Sequence, residues 1–360
     1  FWLKHTPTGG RPRPTASPTA AVLCAMAAPP KKFKVCVCGG AGGIGQPLSM
    51  LMAMDEHVGE LSVYDLSVSV VPAEGVAADL SHLERDCSVK SYSLDVSKGM
   101  KPVDHLEECF KDCHLVLIPA GVPRKPGMDR ADLLNVNIGI AKDLVEACAK
   151  FCPKAIIGLI VNPVNSVVPA MAELYTQLSL DSKRICGVTT LDCVRSNKFV
   201  HEVTGVPSAD INIPVVGGHA GVTILPLFSQ DPAGRKVPEA KVKALDKRVQ
   251  DAGTEVVNAK GGKGSATLSM AYAGARFGKA VLAGLAGDRR TECAYVKSNV
   301  VEGLDFFTSK VTFGPSGVEE VHPLGELTEY EKERLAEATK VLKEEIAAGK
   351  KAFAGLMSKI

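Results

Sequence analysis

Short apolar runs alternate with longer segments of helical period along most of the chain. FKVCVC (33–38), ELSVY (60–64), HLVLI (114–118) and AIIGLIV (155–161) have the length and β-branched content of strands, and INIPVV (211–216) reads as a further one. Strands separated by helical stretches predict βαβ units, hence an α/β fold around a parallel sheet. Further on, Val242, Leu245, Val249, Ala252 and Val256 mark one face of an amphipathic helix. A last helix is announced by Thr328 and Glu331, spaced as a capping box ahead of Leu335, Ala338, Leu342 and Ile346.

The two ends break this pattern. Residues 1–30 hold six prolines, no acidic residue and no apolar period, which predicts a disordered tail. Lys4, Arg11 and Arg13 leave open an organellar transit peptide, and Met26 an alternative start. The chain closes on Ser358-Lys359-Ile360, one conservative step from the Ser-Lys-Leu address of peroxisomal import. That tripeptide points to a microbody of the peroxisome or glycosome kind, with mitochondrion or cytosol as alternatives.

Composition narrows the partners. Across 360 residues, 42 basic and 40 acidic side chains leave a net charge of +2, which gives no electrostatic reason to expect nucleic acid or a membrane surface. The longest apolar runs, 155–161 and 280–286, fall short of the roughly 18–20 residues a bilayer requires. Eleven scattered cysteines read as reduced thiols. Cys109 with Cys113 and Cys148 with Cys152 stand at helical spacing, and packing in a core explains them better than a metal site, which wants more ligands. No metal is expected.

Chemistry enters directly after the first strand, with Gly39-Gly40-Ala41-Gly42-Gly43-Ile44-Gly45 leading into a helical run that carries Pro47 in its first turn. A pyrophosphate at a helix N-terminus needs backbone N–H groups and no Cβ in the way, as glycines at 39, 42 and 45 provide. Twenty residues after Gly45, at the end of the next strand, Asp65 is placed to accept the ribose hydroxyls. Its charge would repel a 2′-phosphate, and Leu66-Ser67 offer no basic replacement. A Rossmann doubly wound sheet that binds NAD rather than NADP follows.

A second constellation lies beyond it. His219 stands among glycines in GGHAG (217–221), which opens its imidazole to a ligand. Asp192 and Arg195, three apart on one predicted helix, could hold the ring's far nitrogen and clamp a carboxylate. The loop VPRKPGMDR (122–130) follows the strand 114–118, at the carboxyl end where such sheets bind ligands, making Arg124 and Arg130 candidate anion-binding groups.

Taken in order, GGAGGIGQ, PRKPGMDR, NVNIGI, VNPVNS, GVTTLD with its arginine, GGHAGVTILPL and KGSATLSMAYA make residues 33–353 resemble the malate dehydrogenases. The resemblance is to the branch shared by mitochondrial, microbody and many bacterial enzymes. It implies an α+β catalytic domain after the Rossmann domain, divided as a tail 1–30, an NAD-binding domain 31–186 and a catalytic domain 187–360. It also implies that His219 moves the proton, Asp192 orients it and Arg195 grips the C1 carboxylate. Arg124 would bind the second carboxylate, Arg130 polarise the carbonyl and Asn162 contact substrate and nicotinamide, under a loop that closes to exclude water. Gly39, Gly42, Gly43, Ile44, Gly45, Asp65, Asn137 and Met270, with Asn162, would hold the cofactor. The substrate would be a dicarboxylate and the enzyme a homodimer or homotetramer. Two features depart from the family: Ser91–Asp112 looks longer, as a surface insertion would be, and Lys263 puts a cation at the rim of the presumed site.

Overall fold

Valines at 35 and 37 in the first strand point to one side and cysteines at 36 and 38 to the other, and all four are fully buried. A strand apolar on both faces needs layers on both sides. The computed structural model describes residues 31–122 and 130–358, apart from the side chains of Arg130 and Ala131. The tail 1–30, Arg124, the Arg130 side chain, Lys359 and Ile360 lie outside the described residues. Lys31–Ile360 forms one compact unit.

The strands are β1 (Phe33–Cys38), β2 (Val58–Leu66), β3 (Ser88–Leu94), β4 (Leu115–Ile118), β5 (Ile156–Leu159), β6 (Ile185–Gly187), β7 (Val215–Gly217), β8 (Ile224–Pro226), β9 (Arg290–Lys297), β10 (Phe306–Gly314) and β11 (Gly317–Val321). The helices are α1 (Gly45–Ala53), α2 (Ala73–Leu80), α3 (Pro102–His105), α4 (Glu107–Phe110), α5 (Arg130–Phe151), α6 (Val164–Gln177), α7 (Thr190–Thr204), α8 (Glu239–Ala259), α9 (Leu268–Ala286) and α10 (Glu329–Met357).

Strand order is β3-β2-β1-β4-β5-β6, all parallel, then β9-β10-β7-β8 antiparallel, with β11 on β10. The chain reverses direction across the sheet between β1 and β4, so a crevice opens at their carboxyl ends. The Gly-rich turn after β1 and the segment after β4 both lead into it. One face of the sheet packs Cys36 and Cys38 against residues of α5, α6 and α10, such as Val145, Val168 and Leu342. The other packs Val35 and Val37 against Met52 of α1 and Phe277 of α9. A smaller core joins Phe199 of α7 to Leu245 and Val249 of α8. As expected, Leu245, Val249 and Ala252 are buried, with Val242 and Val256 half-buried beside them, and the Thr328–Glu331 capping box opens α10.

Two expectations are corrected. The run 211–216 forms a strand only from Val215, because the preceding N–H groups bond to side chains instead of a ladder: Asn212 donates to Asp231 (3.0 Å) and Ile213 to Asn197 (2.9 Å), while Pro214 has none to give. Within Ser91–Asp112 the longest continuously exposed stretch is Val96–Gly99. Leu94, Leu106, Cys109 and Phe110 are buried in the core, so the segment is anchored in the packing and does not lie wholly on the surface. Cys109 Sγ lies 3.6 Å from Cys36 Sγ, and Cys113, Cys148 and Cys152 join the same core.

Candidate active site

The turn after β1 is tied back to β2, since the N–H groups of Gly39 and Gly40 both reach Tyr64 O at 2.8 Å. Gly42 N–H bonds to Gly39 O at 3.1 Å. The turn's own hydrogen bonds therefore use Gly39, Gly40 and Gly42, and no hydrogen bond among the described residues takes the N–H groups of Gly43, Ile44 and Gly45 at the start of α1, which leaves them to an anion. A Cβ on residue 45 would stand 1.9 Å from Gly39 O, so only glycine lets the helix begin this close to the strand. Asp65 is half-buried and braces the same turn: its Oδ2 accepts the Ala41 N–H at 2.9 Å and its Oδ1 the Leu66 N–H at 2.8 Å. Each oxygen keeps a lone pair for a further donor.

Asn137 is buried, and its amide is committed to the protein. Its Oδ1 accepts Val122 N–H (2.8 Å), and its Nδ2 donates to Asn162 O (2.6 Å) and Val122 O (3.2 Å). It thus fixes Asn162 and the start of the 122–130 segment relative to each other. Asn162 itself lines a cleft of about 370 Å³, together with Ile44, Ile160, Met270, Asp192, Arg195 and His219.

At the inner end of that cleft His219 Nδ1 lies 2.6 Å from Asp192 Oδ2. Asp192 is fully buried in the first turn of α7. Its Oδ1 has no hydrogen-bond partner among the described residues and faces Arg195 Nη1 at 3.7 Å. Burial pulls the Arg195 guanidinium below its ordinary pKa, opposed by the neighbouring Asp192 and Glu255 carboxylates. Such a buried cation at a cleft gains most from an anionic ligand that reaches it. With Nδ1 engaged, the imidazole has Nε2 left for proton transfer.

The residues present fit a dinucleotide. Outward N–H groups at α1 suit the pyrophosphate, Asp65 the ribose, and the apolar walls from Ile44, Ile160 and Met270 a flat ring. Lys263 is exposed and is not among the cleft's lining residues; Lys260 instead donates to Ser265 O (2.7 Å) and Thr267 Oγ1 (3.2 Å) at the rim. Cys193, Glu292 and Cys293 lie near this region with their ligand atoms within 4.8 Å of one another. Both Glu292 oxygens are already engaged, by Arg276 (2.5 and 3.1 Å) and by the Cys293 N–H (3.0 Å), so this carboxylate serves an ion pair.

Sequence reasoning missed Gln250 and Thr254, which line the cleft from α8. Their i, i+4 spacing beside the apolar stripe was the available signal. It also missed Asn165, whose Oδ1 accepts the His219 backbone N–H at 2.8 Å.

Residues 33–187 match the NAD binding domain of lactate/malate dehydrogenase, and residues 189–353 match the family's alpha/beta C-terminal domain. Among relatives, mitochondrial malate dehydrogenase 1 of Arabidopsis thaliana is 51% identical over 320 residues, covering 88% of this chain and 90% of that protein. Glyoxysomal malate dehydrogenase of Citrullus lanatus is 50% identical over 319 residues, covering 88% and 86%. The apo malate dehydrogenase of Picrophilus torridus superposes with a TM-score of 0.76 at 26% identity, covering 90% of this chain and 99% of that one. With both of its halves matched in order, and a hydrogen-bonded His219–Asp192 pair and Arg195 gathered beside a glycine-rich turn, the chain belongs to the lactate/malate dehydrogenase family of NAD-dependent enzymes.

Proposed function

We propose that this chain interconverts malate and oxaloacetate, with residues 31–186 holding NAD and residues 187–360 carrying the catalytic groups. The observation that carries the reading is the buried Asp192 joined to His219 at 2.6 Å beside Arg195, in a cleft that reaches Ile44 of the dinucleotide turn. Bound NAD supplies the hydride acceptor. Neutral His219 takes the malate hydroxyl proton at Nε2, and Asp192 stabilises the imidazolium that results. Arg195 pairs with the C1 carboxylate through its planar fork. Asn162 orients substrate and carboxamide, Met270 and Ile44 pack the ring, and Asn137 acts by holding Asn162. Arg124 takes the second carboxylate and Arg130 polarises the carbonyl; sequence alone supports these two roles.

Spectrophotometric NADH oxidation with oxaloacetate and with pyruvate tests this. Oxaloacetate should be strongly preferred, and a preference for pyruvate would make the chain a lactate-type enzyme.

The chain acts as a homodimer or homotetramer. Large apolar side chains stand exposed on α1 at Met50, just after it at Met54, on α9 at Leu268 and Tyr272, and on the loop after β2 at Val68 and Val70, and a second copy could cover them. Sedimentation should give a multiple of 37.9 kDa, and a monomer at micromolar concentration would defeat this. We place the chain in a microbody or a mitochondrion, as glyoxysomal, peroxisomal and mitochondrial relatives of similar identity support, with Ser358-Lys359-Ile360 the proposed microbody address. Its deletion should release a tagged protein to the cytosol. Import into mitochondria lost with residues 1–30 would show the tail to be the address instead.

A further inference from the structure

We propose that Asn165 is a positioning residue for His219, the hub of a hydrogen-bonded brace between the histidine loop, α6 and the C-terminal helix α10. The proposal rests on His219 acting as the acid/base.

The loop needs a brace from outside. Gly217 and Gly218 precede His219 and Gly221 follows closely, with φ of +98° at 217 and +46° at 221. The hairpin closes on itself through Gly218 N–H to Thr223 O (2.8 Å) and Thr223 N–H to Ala220 O (3.0 Å), which leaves the His219 N–H between them to a partner outside the loop. Asp192 fixes the imidazole through its side chain only. The backbone N–H of His219 goes to Asn165 Oδ1 at 2.8 Å. Asn165 is 1% exposed and lies against the loop so closely that a Cβ on Gly218 would meet its amide at 2.6 Å.

The orientation of that amide is forced. A backbone N–H can only donate, so it needs the amide oxygen; Nδ2 then faces the Glu345 carboxylate at 2.7 Å and Thr223 Oγ1 at 3.1 Å, both able to accept. Thr223 Oγ1 also accepts Ala220 N–H at 3.1 Å and donates to Ala220 O at 2.7 Å, closing the far side of the loop. Asn165 is itself anchored, its carbonyl accepting Tyr295 Oη–H at 3.2 Å.

The helix α10 is the fixed end of the brace. Ser166 Oγ donates to Glu345 O at 2.7 Å, and a Cβ on Gly349 would stand 2.0 Å from Ser166 O, so α10 and α6 touch backbone to backbone. Earlier in α10, Arg334 Nη2 donates to Val222 O (3.1 Å) and Ile224 O (3.3 Å), on either side of Thr223. The C-terminal helix thereby holds the histidine loop at two places, through Glu345 on Asn165 and through Arg334.

An Asp at 165 keeps the size of the side chain and the oxygen that accepts from His219, but turns an oxygen toward Glu345. In Asn165→Asp, kcat for oxaloacetate should fall about 10- to 100-fold, as a displaced acid/base group loses alignment, while NADH affinity by fluorescence titration stays within about threefold. The double variant Asn165→Asp/Glu345→Gln reverses donor and acceptor, since the new amide at 345 can donate to the new carboxylate at 165. It should regain kcat to within about fivefold of the wild type. Wild-type kcat in Asn165→Asp, or a double variant no faster than Asn165→Asp, would overturn the proposal. Should Asn165→Asp not fold, Glu345→Ala should lower kcat about 3- to 10-fold at constant NADH affinity, and an unchanged kcat would overturn it equally. Wild-type turnover, measured first, separates this from the functional reading. If the wild type does not turn over oxaloacetate, that reading fails and the brace is read from hydrogen exchange at the His219 amide, which should accelerate in Asn165→Asp and slow again in the double variant; unaltered exchange defeats the brace.

Discussion

His219 and Asp192 are joined by a 2.6 Å hydrogen bond, while the carboxylate's other oxygen, fully buried, has Arg195 at 3.7 Å and no hydrogen-bond partner among the described residues. One carboxylate thus faces both His219, proposed to move the proton, and Arg195, proposed to receive the substrate's carboxylate. In Asp192→Asn the imidazolium loses its counter-charge and Nδ1 can meet an amide N–H in the wrong tautomer. The measured kcat should drop about 10²- to 10⁴-fold with Tm little changed. Turnover near wild type would remove Asp192 from the mechanism.

Substrate choice is assigned to Arg124. Truncating one partner of a buried charge pair costs about 2–5 kcal/mol, so Arg124→Gln should lower kcat/KM for oxaloacetate roughly 30- to several-thousand-fold. For pyruvate, which has no second carboxylate, kcat/KM should hold or rise. If oxaloacetate kinetics survive Arg124→Gln and collapse in Lys125→Gln, the second carboxylate is held one residue further on.

Cofactor choice turns on Asp65. If its carboxylate takes the ribose hydroxyls as proposed, NADH should exceed NADPH in kcat/KM by about 10- to 100-fold. Because Asp65 Oδ2 also accepts the Ala41 N–H, Asp65→Ser should weaken NADH binding while narrowing the preference. A preference ratio unmoved by Asp65→Ser in paired assays counts against the assignment.

The start of α10 supplies a stability test. Thr328 Oγ1 accepts Glu331 N–H at 3.2 Å, and Thr328→Ala should cost about 0.5–2 kcal/mol in denaturant unfolding. Glu331 carries more, since its carboxylate accepts from Thr328 N (2.9 Å), Ser229 Oγ (2.7 Å) and Ser229 N (3.2 Å). Glu331→Ala leaves these donors unpaired and should cost about 1–3 kcal/mol beyond the threonine variant. Equal losses would show that the tie to Ser229 adds nothing.

The elements of the parallel half were legible because their signals are local. The run at β1, the glycines behind it and Asp65 at the end of β2 follow from spacing, and the capping box at Thr328 from two residues. Where side chains far along the chain compete for the backbone, local reading failed. Asp231 and Asn197 take the N–H groups of Asn212 and Ile213, which shortens β7. The core draws in Leu106 and Phe110 from a stretch that reads as an insertion.

The sequence by itself determined the residue types of the site and the order of its parts, since a phosphate turn, an acidic ribose partner and a histidine with aspartate and arginine each show in short motifs. Only the tertiary structure decided which of these groups are spent on the protein and which face the cleft. Asn137 is committed to Val122 and Asn162, the N–H groups left without a partner among the described residues at the dinucleotide turn are those of Gly43, Ile44 and Gly45, and the histidine loop is held by Asn165 with Glu345 of α10 behind it. The last two lie 180 positions apart. A hydrogen bond depends on the approach of two atoms within about 3 Å, and for residues so distant along the chain only the packing of whole helices fixes that approach.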